Sequence, residues 1–291
     1  MYKMELKIGV SSFCFYNMNI FEIVELVERN ELGLEIHLND FDAEIGNPEP
    51  LIQGGIWPRS FEKEERRKLK EAIKQLPIVT VHGTPFDLNI SANNPGIREE
   101  SIRQYEEAMD FANDIGCKIV TYHPGKYSSS IMPYNVYLSR HIEFAKRITK
   151  RAEKYGIYTG LENGNDISFF LKIIEEVNSP NWGHLLDIGH AIMGVKGNTQ
   201  TVLDWIDKLG KDRIVEIHAH NVLAWSAVPG GMIDHFPFED GTCLEMETIF
   251  KKLKEIGYRG PIILEIVQTT AQKVIDACLK AKEMIYDIWE K

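Results

Sequence analysis

Seven places in this chain put an imidazole or a carboxylate just after a short apolar run. They are His37, His82, His123, Glu162, Asp187 with His190, His218 with His220, and Glu265, recurring at intervals of roughly 25 to 45 residues. Imidazole nitrogens and carboxylate oxygens are the side-chain donors that hold borderline and hard divalent cations. One such residue at the end of a strand reads as a hydrogen-bonded rim group. A series at equivalent positions reads as a single metal centre drawn from distant parts of the chain, because many converging polar groups are costly unless they pair or hold metal.

The elements that must position them follow a simple repeat. Strand-like runs lie at 6–13, 32–37, 77–82, 118–123, 157–162, 183–188, 213–218 and 261–266, and helix-like stretches at about 20–30, 61–75, 98–115, 138–155, 168–177, 201–209, 245–256 and 270–288. Continuous apolar strands such as 183–188 suit a parallel sheet covered by helices. In 98–115, Ile102, Tyr105, Ala108, Met109, Ala112 and Ile115 recur near helical spacing and predict the face that packs on the sheet. Gly33, Gly116, Gly156, Gly210 and Gly257 stand where helices should stop. Eight strand–helix units over residues 1–291 predict one (β/α)8 TIM-barrel domain. A doubly wound open sheet is the alternative, but no GxGxxG follows the first strand. The irregular stretches 39–60, 85–97, 125–137, 189–198 and 221–242 all follow strands, so they should crowd the rim where barrel enzymes place their sites.

Composition narrows the partners. The 33 Lys and Arg against 43 Asp and Glu leave a net charge of -10, which repels a polyanion at long range and counts against non-specific nucleic-acid binding. No apolar run reaches the roughly 18 residues of a membrane span, and residues 1–10 show no secretory h-region. The expectation is a soluble cytoplasmic protein. Cys14, Cys117, Cys243 and Cys278 are far apart with no CxxC pair, which predicts reduced thiols rather than a zinc–thiolate site.

Alternate strand residues point into a barrel, so Thr80 and His82 share a face, as do Thr121 and His123, Gly160 and Glu162, Leu185 and Asp187, Glu216 and His218, and Ile263 and Glu265. Glu162, Asp187, His218 and Glu265 offer three oxygens and one nitrogen, a mixed set that accepts Zn2+, Mn2+, Mg2+ or Co2+. His82 and His123 supply a second set with Glu162 as bridge, and His190 with His235 a third, so one to three ions per chain are expected. Glu216, a layer below His218, either orients that ligand or closes a buried charge pair.

These residues carry a resemblance to the xylose isomerase-like barrel superfamily, which includes sugar isomerases and epimerases, inosose dehydratases and endonuclease IV. It runs over essentially the whole chain through His82 with Pro85, Phe86 and Asn89; Tyr122-His123-Pro124-Gly125; Leu161-Glu162-Asn163; Leu186-Asp187-Ile188-Gly189-His190; Ile217-His218-Ala219-His220-Asn221; and Tyr258-Arg259-Gly260 leading to Leu264-Glu265. The resemblance implies that Glu162, Asp187, His218 and Glu265 hold the metal shared by isomerase and epimerase members. It also implies that His82, His123, His190 and His235 match the extra ligands of three-zinc phosphodiesterase members. Those members separate an Asp and a His by one residue, whereas Asp234 and His235 are adjacent here, so one of the two is displaced from the pattern. Glu35 and His37 resemble the substrate-facing strand of isomerase relatives. His220 resembles sugar-handling relatives, with Asn221 in place of the more usual Asp. DNA-repair members place basic and aromatic residues where this chain has only Trp57, Arg59 and Phe86-Asp87.

The expected activity is a divalent-metal-dependent isomerase or epimerase of a sugar, sugar phosphate or polyol, working through a metal-stabilised enediolate. Glu162 and Glu265 would act as acid and base, with His190 polarising the oxygen that gains charge. Glu35, His37, Trp57, Lys126, His220 and Asn221 are the substrate-binding expectations, Lys126 for a phosphate or carboxylate. Phe13, Phe15, Trp57 and Trp225 either exclude solvent or pack the rim. The alternative is zinc-dependent phosphodiester hydrolysis at abasic DNA, the one reading in which nucleic acid is a partner.

Overall fold

The computed structural model describes residues 6–38, 56–84, 87–125, 132–164, 166–193, 197–225, 231–239 and 241–291. Pro85, Phe86, Lys126 and the side chain of Trp225 lie outside the described residues. Eight parallel strands close into a barrel: β1 (Lys7–Ser11), β2 (Gly33–His37), β3 (Val79–His82), β4 (Ile119–Tyr122), β5 (Tyr158–Glu162), β6 (Trp182–Asp187), β7 (Ile214–Ala219) and β10 (Pro261–Leu264). Around the ring the order is β1-β10-β7-β6-β5-β4-β3-β2. Helices α1 (Ile20–Arg29), α2 (Lys63–Ala72), α3 (Pro95–Ile115), α4 (Tyr134–Tyr155), α5 (Ile167–Val177), α6 (Thr199–Leu209), α7 (Met246–Glu255) and α8 (Ala271–Glu290) alternate with those strands in the chain. This is a (β/α)8 TIM barrel.

The strands are short and buried nearly throughout, the pattern of a sheet covered on both faces. The predicted stripe on α3 is the buried one, with Ile102, Tyr105, Ala108, Met109, Ala112 and Ile115 turned inward. Asn19 opens α1 with a capping box, and Asn94 caps α3 just before Pro95, so these starts are written in side-chain hydrogen bonds. Gly116, Gly156, Gly210 and Gly257 take the positive φ expected of helix stops. Gly33 does not. The left-handed residue after α1 is Glu31, at φ 52°, and Gly33 opens β2, where a Cβ would come within 2.8 Å of the Ile78 carbonyl oxygen.

Residues 221–242, expected to be irregular, contain an antiparallel hairpin of β8 (Asn221–Trp225) and β9 (Gly231–Phe236). It leaves the barrel directly after β7 and carries Asp234 and His235 back over the strand ends. The parallel register does the rest of the positioning. His37 pairs with His82 across β2 and β3, and Asp187 with His218 across β6 and β7, so side chains far apart in sequence stand at equal height.

Candidate metal centre

The carboxyl ends of the strands open into a cavity of about 210 Å³ walled by Phe13, His37, His82, His123, Glu162, His190, His235 and Glu265. Glu162 ends β5 and is buried between histidines on both sides. Its Oε2 lies 3.2 Å from His82 Nε2 and 3.0 Å from His123 Nε2, and its Oε1 lies 2.6 Å from His190 Nδ1. Burial alone would raise its pKa, but His123, His190 and His82 outweigh that and hold it well below the usual carboxylate range. A carboxylate with one oxygen toward each of two histidine groups has the arrangement of a bridging ligand.

Asp187, His218 and Glu265 form the adjoining set. His218 Nε2 is 2.8 Å from Glu35 Oε2, and with the ring hydrogen on that nitrogen it donates there. Its Nδ1 is buried without a hydrogen-bond partner and faces Glu265 Oε2 at 3.4 Å and Asp187 Oδ2 at 3.9 Å. A lone pair against two carboxylates is repulsive unless a proton or a cation lies between them. Burial disfavours charge on His218, yet Glu265 and Glu35 push its pKa well above the ordinary histidine value, so proton and cation compete for one space. The donor atoms of these three residues lie within 4.8 Å of one another, a spread that suits a divalent cation. Asn163 steadies the set. Its side chain donates to the Asp187 carbonyl at 3.0 Å and accepts from the Asp187 N–H at 2.6 Å.

The third group is more complete than the sequence pattern implied. Adjacent residues on a regular strand face opposite ways, but His235 has φ 56°, and this left-handed kink lets both it and Asp234 turn toward the site. Asp234 Oδ2 lies 3.6 Å from His190 Nε2 and 3.9 Å from His235 Nε2. The interaction with His190 helps hold the Asp234 carboxyl well below its ordinary range. Asp234 is the candidate ligand that spacing alone passed over, and the kink that turns it inward leaves no mark in the local residue types.

Several substrate-binding expectations are placed elsewhere. Glu35 is fully buried beneath His218 rather than on the cavity wall. Asn221 spends its amide on Val222 N–H and on the N–H and carbonyl of Leu244. Trp57 lines a separate surface concavity with Thr84, Asp87 and Leu88, and the neighbouring Arg59 pairs with Glu107 at 3.2 Å. His37 does reach the cavity, stacked flat on His82 with ring centroids 4.7 Å apart. Phe13 walls the cavity, 5.2 Å from the His235 ring, while Phe15 is core. Glu216 makes no hydrogen bond to His218. Burial and the charge of Glu35 raise its pKa well above the carboxylate range, and both its oxygens are buried without a hydrogen-bond partner.

Residues 53–283 match the family model described as xylose isomerase-like TIM barrel. The chain belongs to that family. Among relatives of this xylose isomerase-like barrel, protein MJ1311 of Methanocaldococcus jannaschii is 28% identical over 221 residues, covering 73% of this chain and 70% of that one. An L-ribulose-5-phosphate 3-epimerase, UlaE, from Escherichia coli is 22% identical over 282 residues, covering 89% and 88%. The crystal structure of a D-tagatose 3-epimerase-like protein superposes with a TM-score of 0.75 at 23% identity, over 98% of both chains. At that identity the superposition speaks for the fold. No helix among the described residues is long and apolar enough to cross a membrane.

Proposed function

We propose that this barrel is a divalent-cation-dependent epimerase or isomerase of a small polyhydroxylated substrate, a sugar, sugar phosphate or polyol. The observation that carries this reading is the pair Glu162 and Glu265, two carboxylates on the wall of one small cavity, each held ionised by histidines. They stand at the ends of β5 and β10, three positions apart around an eight-stranded ring, and on this reading a substrate carbon lies between them with one carboxylate on each face. One takes the proton and the other returns a proton on the opposite face, which inverts the centre. Asp187, His218 and Glu265, with Glu162, would hold the cation, and when bound it supplies electrostatic stabilisation of the oxygen that gains charge. His190 lies beside Glu162 and Asp187 and can donate to that same oxygen. His37 and Phe13 shape the wall that the substrate meets. Lys126 is assigned to an anionic substituent on the substrate. The relative named L-ribulose-5-phosphate 3-epimerase supports the reading.

A second reading has its own observation. His82, His123 and Glu162 converge, and so do His190, His235 and Asp234, giving room for two further ions as zinc-dependent hydrolysis of abasic DNA requires. The net charge of -10 and the small size of the cavity favour the first. Protein loaded with Mn2+, Co2+ or Zn2+ is incubated with a panel of ketoses and their phosphates and, in parallel, with duplex DNA holding an abasic site. Epimer formation that stops on chelation is expected. Strand cleavage that disappears in Glu162→Gln, with no epimer from any sugar, would instead establish the hydrolase.

A further inference from the structure

His220 joins two parts of the site that the chain builds separately. It lies between β7 and β8, fully buried, and its two ring nitrogens face different elements. Nδ1 is 2.9 Å from the backbone nitrogen of His235 on β9. A backbone N–H can only donate, so Nδ1 accepts and the ring hydrogen sits on Nε2. The Asn221 carbonyl oxygen is also 3.2 Å from Nδ1, but a hydrogen placed there would oppose the His235 N–H donor to donor. Nε2–H then points at Asp187, 3.1 Å from Oδ1 and 3.2 Å from Oδ2. Both nitrogens are therefore spent within the protein, and neither is offered to a substrate hydroxyl.

The fit around the ring is tight on two sides. The His220 and His235 rings lie 4.4 Å apart. On the other side is Gly189, two residues after Asp187, where a Cβ would overlap the His220 ring itself. The chain thus keeps a bare backbone beside the ring and a left-handed residue above it, and both let one imidazole bridge from β6 to β9.

We propose that His220 is a positioning residue that ties the Asp187 carboxylate to the β8–β9 arm carrying Asp234 and His235. A cation on the Asp187 set would then steady the arm, and a cation on the arm residues would favour the Asp187 set by the same factor. The inference rests on the reading that Asp187 holds a cation, but its arm half does not.

Two half-isosteres separate the two bonds. In His220→Asn the amide oxygen can still accept from the His235 N–H while the donor to Asp187 is lost. In His220→Gln the longer amide can reach Asp187 while the acceptor for His235 is lost. Hydrogen exchange of peptides spanning 231–239 is measured first on metal-free protein, with peptides from β5 and β6 as the folding control. Exchange in the arm should be at least tenfold faster in His220→Gln than in wild type and close to wild type in His220→Asn. Zn2+ affinity by chelator competition should fall roughly 10- to 100-fold in His220→Asn. The slowing of arm exchange by Zn2+ should be lost in both. Gly189→Ala, which displaces the ring without touching either bond partner, should reproduce the fast arm exchange and stands in if a His220 variant fails to fold. Arm exchange equal to wild type in His220→Gln and Gly189→Ala would overturn the tether. So would reduced turnover with arm exchange and Zn2+ affinity unchanged, which would make His220 a substrate contact. Absence of Zn2+ binding to wild type would count against the metal reading, while the metal-free comparison still decides the tether.

Discussion

At the scale of single residues, the centre depends on which nitrogen of each histidine carries the hydrogen. Glu35 sets this for His218 by accepting from Nε2, which leaves Nδ1 to face Asp187 and Glu265. Glu35→Ala should therefore lower divalent-cation affinity roughly 10- to 100-fold, with Glu35→Gln, which can still accept that hydrogen, closer to wild type. Calorimetric titration with Mn2+ or Co2+ checks both, and equal affinity in all three proteins would remove Glu35 from the account. The residue types at the strand ends point to Glu162, Asp187, His218 and Glu265, which the barrel brings close together. They were not enough to separate Glu35 from His37, because strand alternation gives the face of a side chain and not its height in the barrel. Glu35 sits one layer down and reaches His218, whereas His37 sits at the cavity.

At the scale of elements, continuous apolar runs and helix stops placed eight strands and eight helices close to where they lie. The β8–β9 hairpin falls in a stretch that the strand–helix repeat reads as irregular, although Pro229-Gly230-Gly231 between two apolar runs is a turn signal. Among the described residues its strands form a two-stranded sheet of their own, outside the repeat, so the barrel pattern offers no slot for them. Close strand contact makes β5 sensitive. A Cβ at Gly160 would lie 2.5 Å from the Gly183 carbonyl oxygen and 3.1 Å from the His184 backbone nitrogen, and backbone cannot step aside. Gly160→Ala should cost about 1–3 kcal/mol, read by urea denaturation, and should weaken cation binding through Glu162 two residues on; unchanged stability would contradict the packing described. Acid should also loosen β6 and α4. Burial pushes the His184 pKa down to about 3 and that of His141 down to about 4. Their folded values lie below the unfolded one near 6.5, so the unfolded chain binds protons first as pH falls. Stability is intact above about pH 6.5 and should decline toward pH 4 by about 1.4 kcal/mol per unit for each histidine. His184→Phe, whose ring would lie against Phe170, should reduce that slope by about one proton in denaturation series between pH 4 and 7.

At the scale of the whole molecule, strands from both halves of the chain meet only when the barrel closes, so binding of the proposed cation would be coupled to folding. At a free cation concentration 100 times Kd, the folded state should gain about 2.7 kcal/mol, and a chelator should lower the melting temperature of wild type but not of a Glu162→Gln, Asp187→Asn double variant. The same closure brings Glu162 and Glu265 to one cavity, and the reaction proposed for them has a signature independent of which sugar is preferred. An epimerase that removes a proton from carbon and returns one from solvent must wash deuterium into the product. The decisive measurement is therefore NMR of a ketose panel incubated with the cation-loaded protein in D2O. Deuterium is expected at the single inverted carbon of at least one substrate, lost in Glu162→Gln, in Glu265→Gln and on chelation. Epimer formed without solvent deuterium, or cleavage of abasic DNA with no exchange into any sugar, would contradict the proposed reaction.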